Sequence, residues 1–97
     1  MTTFNTYIKE NEETLEMYTT AITRAHGKNH PEAFDVRELY SEIHAKTTEA
    51  GAERPMLDVE FAELREVTNH YEIPGDVCQT FAAVYDMLSE ADQIYQA

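Results

Sequence analysis

Ala25-His26-Gly27-Lys28-Asn29-His30-Pro31-Glu32 places a helix stop and a helix start side by side. Gly27 suits a left-handed C-terminal cap. Asn29 or His30 can serve as the next N-cap, and Pro31 fits a first helical turn, where an amide has no partner to lose. Upstream, Phe4, Ile8, Leu15, Tyr18, Ile22 and Ala25 recur at steps of three, four or seven, with Lys9, Glu10, Glu13, Glu16 and Arg24 off the stripe. That spacing predicts one amphipathic helix over 4–26. Downstream, Val36, Leu39, Tyr40, Ile43, Thr47 and Ala50 predict a second over 31–50. A connection this short makes the two helices antiparallel neighbours.

The remaining sequence repeats the pattern. Gly51 and Pro55 bracket a linker, and Asp58 is a candidate N-cap. Phe61, Leu64, Val67 or Thr68, and Tyr71 then form the stripe of a third, shortest helix over 58–71. Ile73-Pro74-Gly75 breaks the period before Val77, Phe81, Val84, Leu88, Ala91 and Tyr95 define a fourth helix over 75–96. No alternating apolar run or hairpin doublet competes with this reading. The expected fold is all-α, an up-down four-helix bundle in which residues 1–97 form one domain.

Seven Lys and Arg against nineteen Asp and Glu give a net charge of −12. Such a surface repels polyphosphate and anionic lipid, so neither nucleic acid nor membrane is an expected partner. No apolar run approaches the ~20 residues that span a bilayer, and Met1-Thr2-Thr3-Phe4-Asn5 lacks the marks of a signal peptide. A cytoplasmic location is expected. The single cysteine, Cys78, cannot form an internal disulfide, in keeping with a reducing compartment.

Few residues point to chemistry. His26 and His30 have a metal-binding spacing, but Gly27 and Pro31 interrupt the helix that would align them. The expected roles are a helix-terminus contact for His26 and an N-cap or solvated position for His30. His44, on the flank of the second helix after Tyr40, reads as a boundary residue. These three histidines are the candidate metal ligands, within one subunit or across two. Glu66 and His70 read as a surface pair facing water. Cys78 falls in the first turn of the fourth helix, where the dipole favours a thiolate and Asp76 opposes it. A small buried residue is the expectation, and a reactive thiol the alternative. No catalytic residue is assigned, because phosphate loops, serine elbows and paired zinc cysteines are missing.

One resemblance adds to this. His26-Gly27, His30-Pro31-Glu32, Thr68-Asn69, Tyr71, Pro74, Asp76, Cys78, Thr80 and Phe81 stand in an order similar to the repair-of-iron-centres (RIC) proteins, a branch of the hemerythrin-like di-iron bundles. The resemblance implies a hemerythrin-like bundle, shortened, and a link to iron-sulfur cluster repair. It also implies where iron ligands would fall. The first-helix histidine would lie near Asn5 or Thr6, and the second-helix His-x-x-x-Glu pair near Ala50 to Arg54. The third-helix histidine also lands near Arg54, and the final pair would begin just past Ala97. None of these positions carries the family's ligand, and the family's cysteine-bearing N-terminal domain has no counterpart.

The sequence therefore predicts a RIC-like helical protein without its own di-iron site and without a cofactor. It would not be an enzyme by itself. The expected role is accessory, in iron-sulfur cluster repair or the response to oxidative and nitrosative stress. A metal-independent interaction module or homodimeric bundle is the alternative, with Tyr7, Met17, Tyr85, Met87 and Ile94 at the edges of the stripes. A histidine-based metal site at a subunit interface is the second alternative. A protein partner or self-association is expected in either of the first two cases.

Overall fold

The structure, a computed structural model, describes residues 3–97. Four helices and no strand occur among the described residues: α1 (Phe4–His26), α2 (Glu32–Ala50), α3 (Asp58–Val67) and α4 (Gln79–Gln96). They pack as a four-helix bundle. α1 packs against both α2 and α4, and α3 packs against α2 while Phe61 and Arg65 reach Tyr95 and Asp92 of α4.

Cross-helix bonds fix the register of α1 against α2. Asn5 Nδ2 donates to the carbonyls of Gly51 and Glu53, His44 pairs with Glu12, and Arg37 donates to Thr20. These contacts step in opposite directions along the two helices, as the short turn requires. α1 is capped by the Thr3 hydroxyl, which accepts the Thr6 amide, and Arg24 complements the dipole at its other end.

Leu15, Ile22, Val36, Ile43, Phe61, Leu64, Phe81, Val84 and Leu88 are fully buried along the bundle axis. Each such side chain is stabilised by about 2 kcal/mol on leaving water. Three buried threonines carry no orphaned hydroxyl. Thr19, Thr47 and Thr68 each donate to the carbonyl four residues earlier. One end of the core is an aromatic cluster of Phe4, Phe61 and Tyr95, with ring centroids 5.1 to 5.8 Å apart. Arg54 lies over the Tyr95 ring, 3.9 Å from its centroid, and donates to the Tyr95 carbonyl.

Several sequence expectations are corrected. Gly27 is not left-handed: its φ is −56°, and what demands glycine is space. A Cβ there would stand 2.3 Å from the Thr23 carbonyl oxygen and 2.6 Å from the Phe34 ring. The positive-φ glycine cap belongs to α2, at Gly51 with φ 63° and ψ −113°. Tyr7 and Tyr85 are core residues rather than edge residues, because the Tyr7 hydroxyl donates inward to the Met87 carbonyl and Glu90 while Tyr85 is buried. Met87 and Ile94 are half-buried, and Met17 is exposed.

The larger correction concerns 68–78. The third helix stops at Val67 instead of residue 71, and the fourth starts at Gln79 instead of residue 75. Thr68 is the cause of the first. Its hydroxyl accepts the Tyr71 amide, and Asn69, His70 and Tyr71 follow with φ of 52°, 59° and 62°. A left-handed conformation costs a non-glycine residue on the order of 1 to 3 kcal/mol, so this turn is strained. His70 is exposed at its tip and makes no bond to Glu66, so no helical pair forms there. The chain then runs as an irregular segment to Cys78, whose extended backbone at φ −82° and ψ 172° delays α4.

No helix of the described residues is long and apolar enough to cross a membrane.

Candidate functional site

The short α1–α2 turn and the start of α4 meet at one end of the bundle, and that end gathers the unpaired chemistry of the chain. α1 supplies His26 as its last residue, the turn supplies His30, and the segment before α4 supplies Asp76 and Cys78. Phe81, buried in the first turn of α4, is the floor on which both imidazoles rest. Its ring centroid is 5.5 Å from that of His26 and 5.6 Å from that of His30. Tyr85 packs beneath it at 4.7 Å, and burial pushes that phenol up to about 12.

Cys78 is exposed and occupies the N-cap of α4, which replaces the expected small buried residue. The cause is the late start of α4, which leaves Cys78 at the N-cap with an extended backbone. His26 Nε2 accepts the Cys78 amide at 3.4 Å. The Phe81 amide and then the His26 side chain, with a smaller part from the Thr80 amide, outweigh burial and lower the thiol from about 9 to about 7. These contacts favour the thiolate form at an exposed position.

His30 is neither an N-cap side chain nor a solvated one. Its side chain is 15% exposed, with Nδ1 2.8 Å from Glu32 Oε1 and Nε2 2.8 Å from Asp76 Oδ1. A neutral imidazole donates through one nitrogen only, so two carboxylates at this distance call for the imidazolium. The Glu32 bond raises the His30 pKa, desolvation opposes it, and Asp76 adds to the rise. Glu32 and Asp76 were not legible as partners along the sequence. The Pro31-Glu32 step after His30 hints at the first, whereas Asp76 lies 46 residues away.

His44 stands apart from this group. It bonds Glu12 Oε2 at 2.9 Å in the middle of the α1–α2 face, with the Tyr40 ring behind it. Of the three candidate metal ligands the fold brings together His26 and His30, 6.4 Å apart between ring centroids, and leaves His44 elsewhere. Among the described residues no three His, Cys, Asp or Glu side chains gather as a metal cage. The positions where a RIC-like iron ligand would fall have other work. Asn5 spends its amide on the carbonyls of Gly51 and Glu53, and Arg54 is stacked on Tyr95. Neither side chain fits an iron ligand.

Two carboxylates escaped the sequence reading altogether. Glu60 on α3 and Asp92 on α4 are both buried, and they meet Lys46 and Arg65 respectively. Asp92 directly follows Ala91 on the apolar stripe, which was the one available signal. A groove of about 680 Å³ between the outer ends of α1 and α2, lined by Asn5, Ile8, Lys9, Glu12 and Thr47, contains neither a cysteine nor an imidazole.

Compared with known proteins, the chain matches no family model, no curated protein and no solved structure.

Proposed function

We propose that this chain is a non-enzymatic helical accessory protein of the oxidative and nitrosative stress response, whose working group is the Cys78 thiol beside His26. The observation that carries the reading is the exposed placement of Cys78 at the head of α4, with an imidazole against its backbone amide. The resemblance of the two connecting segments to RIC proteins supports iron-sulfur cluster repair as the setting, with the di-iron chemistry left to other proteins. A peroxide would be the oxidant. The thiolate attacks one peroxide oxygen, a sulfur-oxygen bond forms as the oxygen-oxygen bond breaks, and the departing hydroxide takes a proton to become water. Sulfur loses two electrons, the peroxide gains them, and the sulfenic acid that results can be returned by a cellular thiol.

Alkylation of the intact protein across pH tests the site. The rate should reach half its maximum near pH 7, and His26→Gln should move that midpoint upward. Peroxide followed by a sulfenate-trapping reagent should label Cys78. A midpoint near 9 with no label would overturn the reading. In cells, loss of the protein should slow recovery of iron-sulfur enzymes after peroxide or nitric oxide.

A second reading, a metal-independent interaction module or homodimer, is favoured by the exposure of Met17, Phe34, Met56 and Val59. Light scattering at high concentration tests the homodimer, and a monomer there would remove it.

A further inference from the structure

Residues 72–78 replace the half of a third helix that the bundle lacks. Tyr71 is bonded to Asp92 near the end of α4, whereas Cys78 begins that helix, so the segment covers on the order of 20 Å of helix length. Seven residues reach little further than that even when extended.

It is also held mainly at its ends. At one, the Tyr71 hydroxyl donates to Asp92 Oδ2 at 2.8 Å, Arg65 holds the same carboxylate, and Thr68 Oγ1 accepts the Tyr71 amide. At the other, His30 Nε2 meets Asp76 and His26 Nε2 meets the Cys78 amide. Between them, the amides of Ile73, Gly75 and Asp76 make no bond to protein among the described residues, and Ile73 is 40% exposed. Val77 and Tyr71 are the side chains that pack on the core.

We propose that residues 72–78 are a pH-gated strap: imidazolium His30 ties Asp76 to Glu32 and holds the Cys78 end down, and loss of that proton frees this end while Tyr71 and Asp92 keep the other attached. A neutral His30 keeps a donor for one carboxylate only and turns a lone pair toward the other, so the bridge cannot survive deprotonation intact. The groups that face His30 are His26 from α1, Glu32 from α2 and Asp76 from the strap, with Phe81 from α4 supplying an apolar wall. The two carboxylates favour the proton. Because the pKa in the fold is raised, the latch is complete below about 6.5, the ordinary histidine value, and is lost as pH rises through the folded value. Opening the strap would move Cys78 away from His26. That consequence rests on the thiol reading above, whereas the latch does not.

Nuclear magnetic resonance of the full chain tests it. The His30 ring should titrate above 6.5, and backbone order over 72–77 should fall in the same pH range while α1 and α2 stay rigid. Asp76→Asn should lower the His30 midpoint and leave 72–77 mobile already at pH 6, with the thermal transition showing that the bundle is folded. Cys78→Ser should keep the pH transition of the strap, which separates a failed latch from a failed thiol site. A His30 midpoint at or below 6.5, or a strap equally ordered on both sides of that midpoint, overturns the proposal.

Discussion

Arg65 grips Asp92 through Nε at 2.9 Å from Oδ2, with Nη2 3.5 Å from Oδ1. The carboxylate also accepts from the Tyr71 hydroxyl and from Gln96, so a 5% exposed charge is surrounded by donors. Burial and the Asp92 contact push the Tyr71 phenol far up, and it stays a donor at any ordinary pH. Asp92→Ala strands both Arg65 and Tyr71. The expected loss is about 3 kcal/mol in urea unfolding, the scale for removing one partner of a buried pair. Tyr71→Phe deletes one of the bonds and should cost about 1 kcal/mol. If Asp92→Ala costs no more than Tyr71→Phe, Asp92 is not the hub of this contact.

The Tyr95 hydroxyl ties the α2–α3 linker to α4. It accepts the Leu57 amide at 2.7 Å and donates to the Pro55 carbonyl at 2.9 Å, all within the core. Tyr95→Phe keeps the ring in its cluster with Phe4 and Phe61 but leaves both backbone groups dry and unpaired. A loss of about 2 kcal/mol is expected, since an unsatisfied buried group costs more than the bond itself contributes. Amide exchange at Leu57 should accelerate more than exchange in mid-α1. Unchanged exchange there would show that the linker is anchored by other contacts.

Gly27→Ala separates space from backbone conformation. At φ −56° an alanine is conformationally favoured, and Gly→Ala at such a position usually stabilises by about 0.4 to 1 kcal/mol. Here the added methyl meets the Phe34 ring and the Thr23 carbonyl, so Gly27→Ala should lower the melting temperature instead. Phe34→Ala in the same chain should recover part of the loss, because Phe34 is exposed and its ring can be removed at small cost. Gly51→Ala has open space around it and should lose only the positive-φ preference, about 1 kcal/mol. Stabilisation by Gly27→Ala alone would contradict the close approach.

These contrasts show what could be read in the sequence. The stripes of α1 and α2 were legible because periodicity is local: Leu15, Ile22, Val36 and Ile43 each mark a face without knowledge of any partner. The strap was not. Thr68-Asn69-His70-Tyr71 contains no glycine or proline to announce a left-handed turn, and the apolar spacing through Tyr71 imitates a continuing helix. The site shared that fate, since Cys78 is exposed only because α4 starts late. Its neighbour His26 is 52 residues away, so topology alone joins them. Asn5 and Arg54 were noted as missing iron ligands, and their structural bonds to Gly51, Glu53 and Tyr95 became visible only with the fold.

Glu60 gives the last prediction its asymmetry. Its carboxylate is buried between α2 and α3, with Oε2 accepting from Lys46 and Oε1 without a partner. Burial pushes its pKa up, but the Lys46 bond, its own backbone amide and the Lys46 charge together hold it below the usual carboxylate range. A lowered pKa means that the stabilisation is present above the unfolded value, near 4.3, and is lost as pH falls through the folded value. Lys46→Ala should therefore destabilise at pH 7, and the difference from the parent should shrink as pH falls through the folded value of Glu60. Glu60→Met removes the desolvated charge and the unpartnered oxygen together, while Lys46, half in water, is released to solvent. It should cost less than Lys46→Ala at pH 7, or stabilise, because a well-packed apolar side chain replaces a buried ion pair at little or no loss. Parallel chemical denaturation of the three proteins at pH 7 and pH 3 decides it. Equal losses for both variants at both pH values would mean that Lys46 and Glu60 act through packing rather than charge.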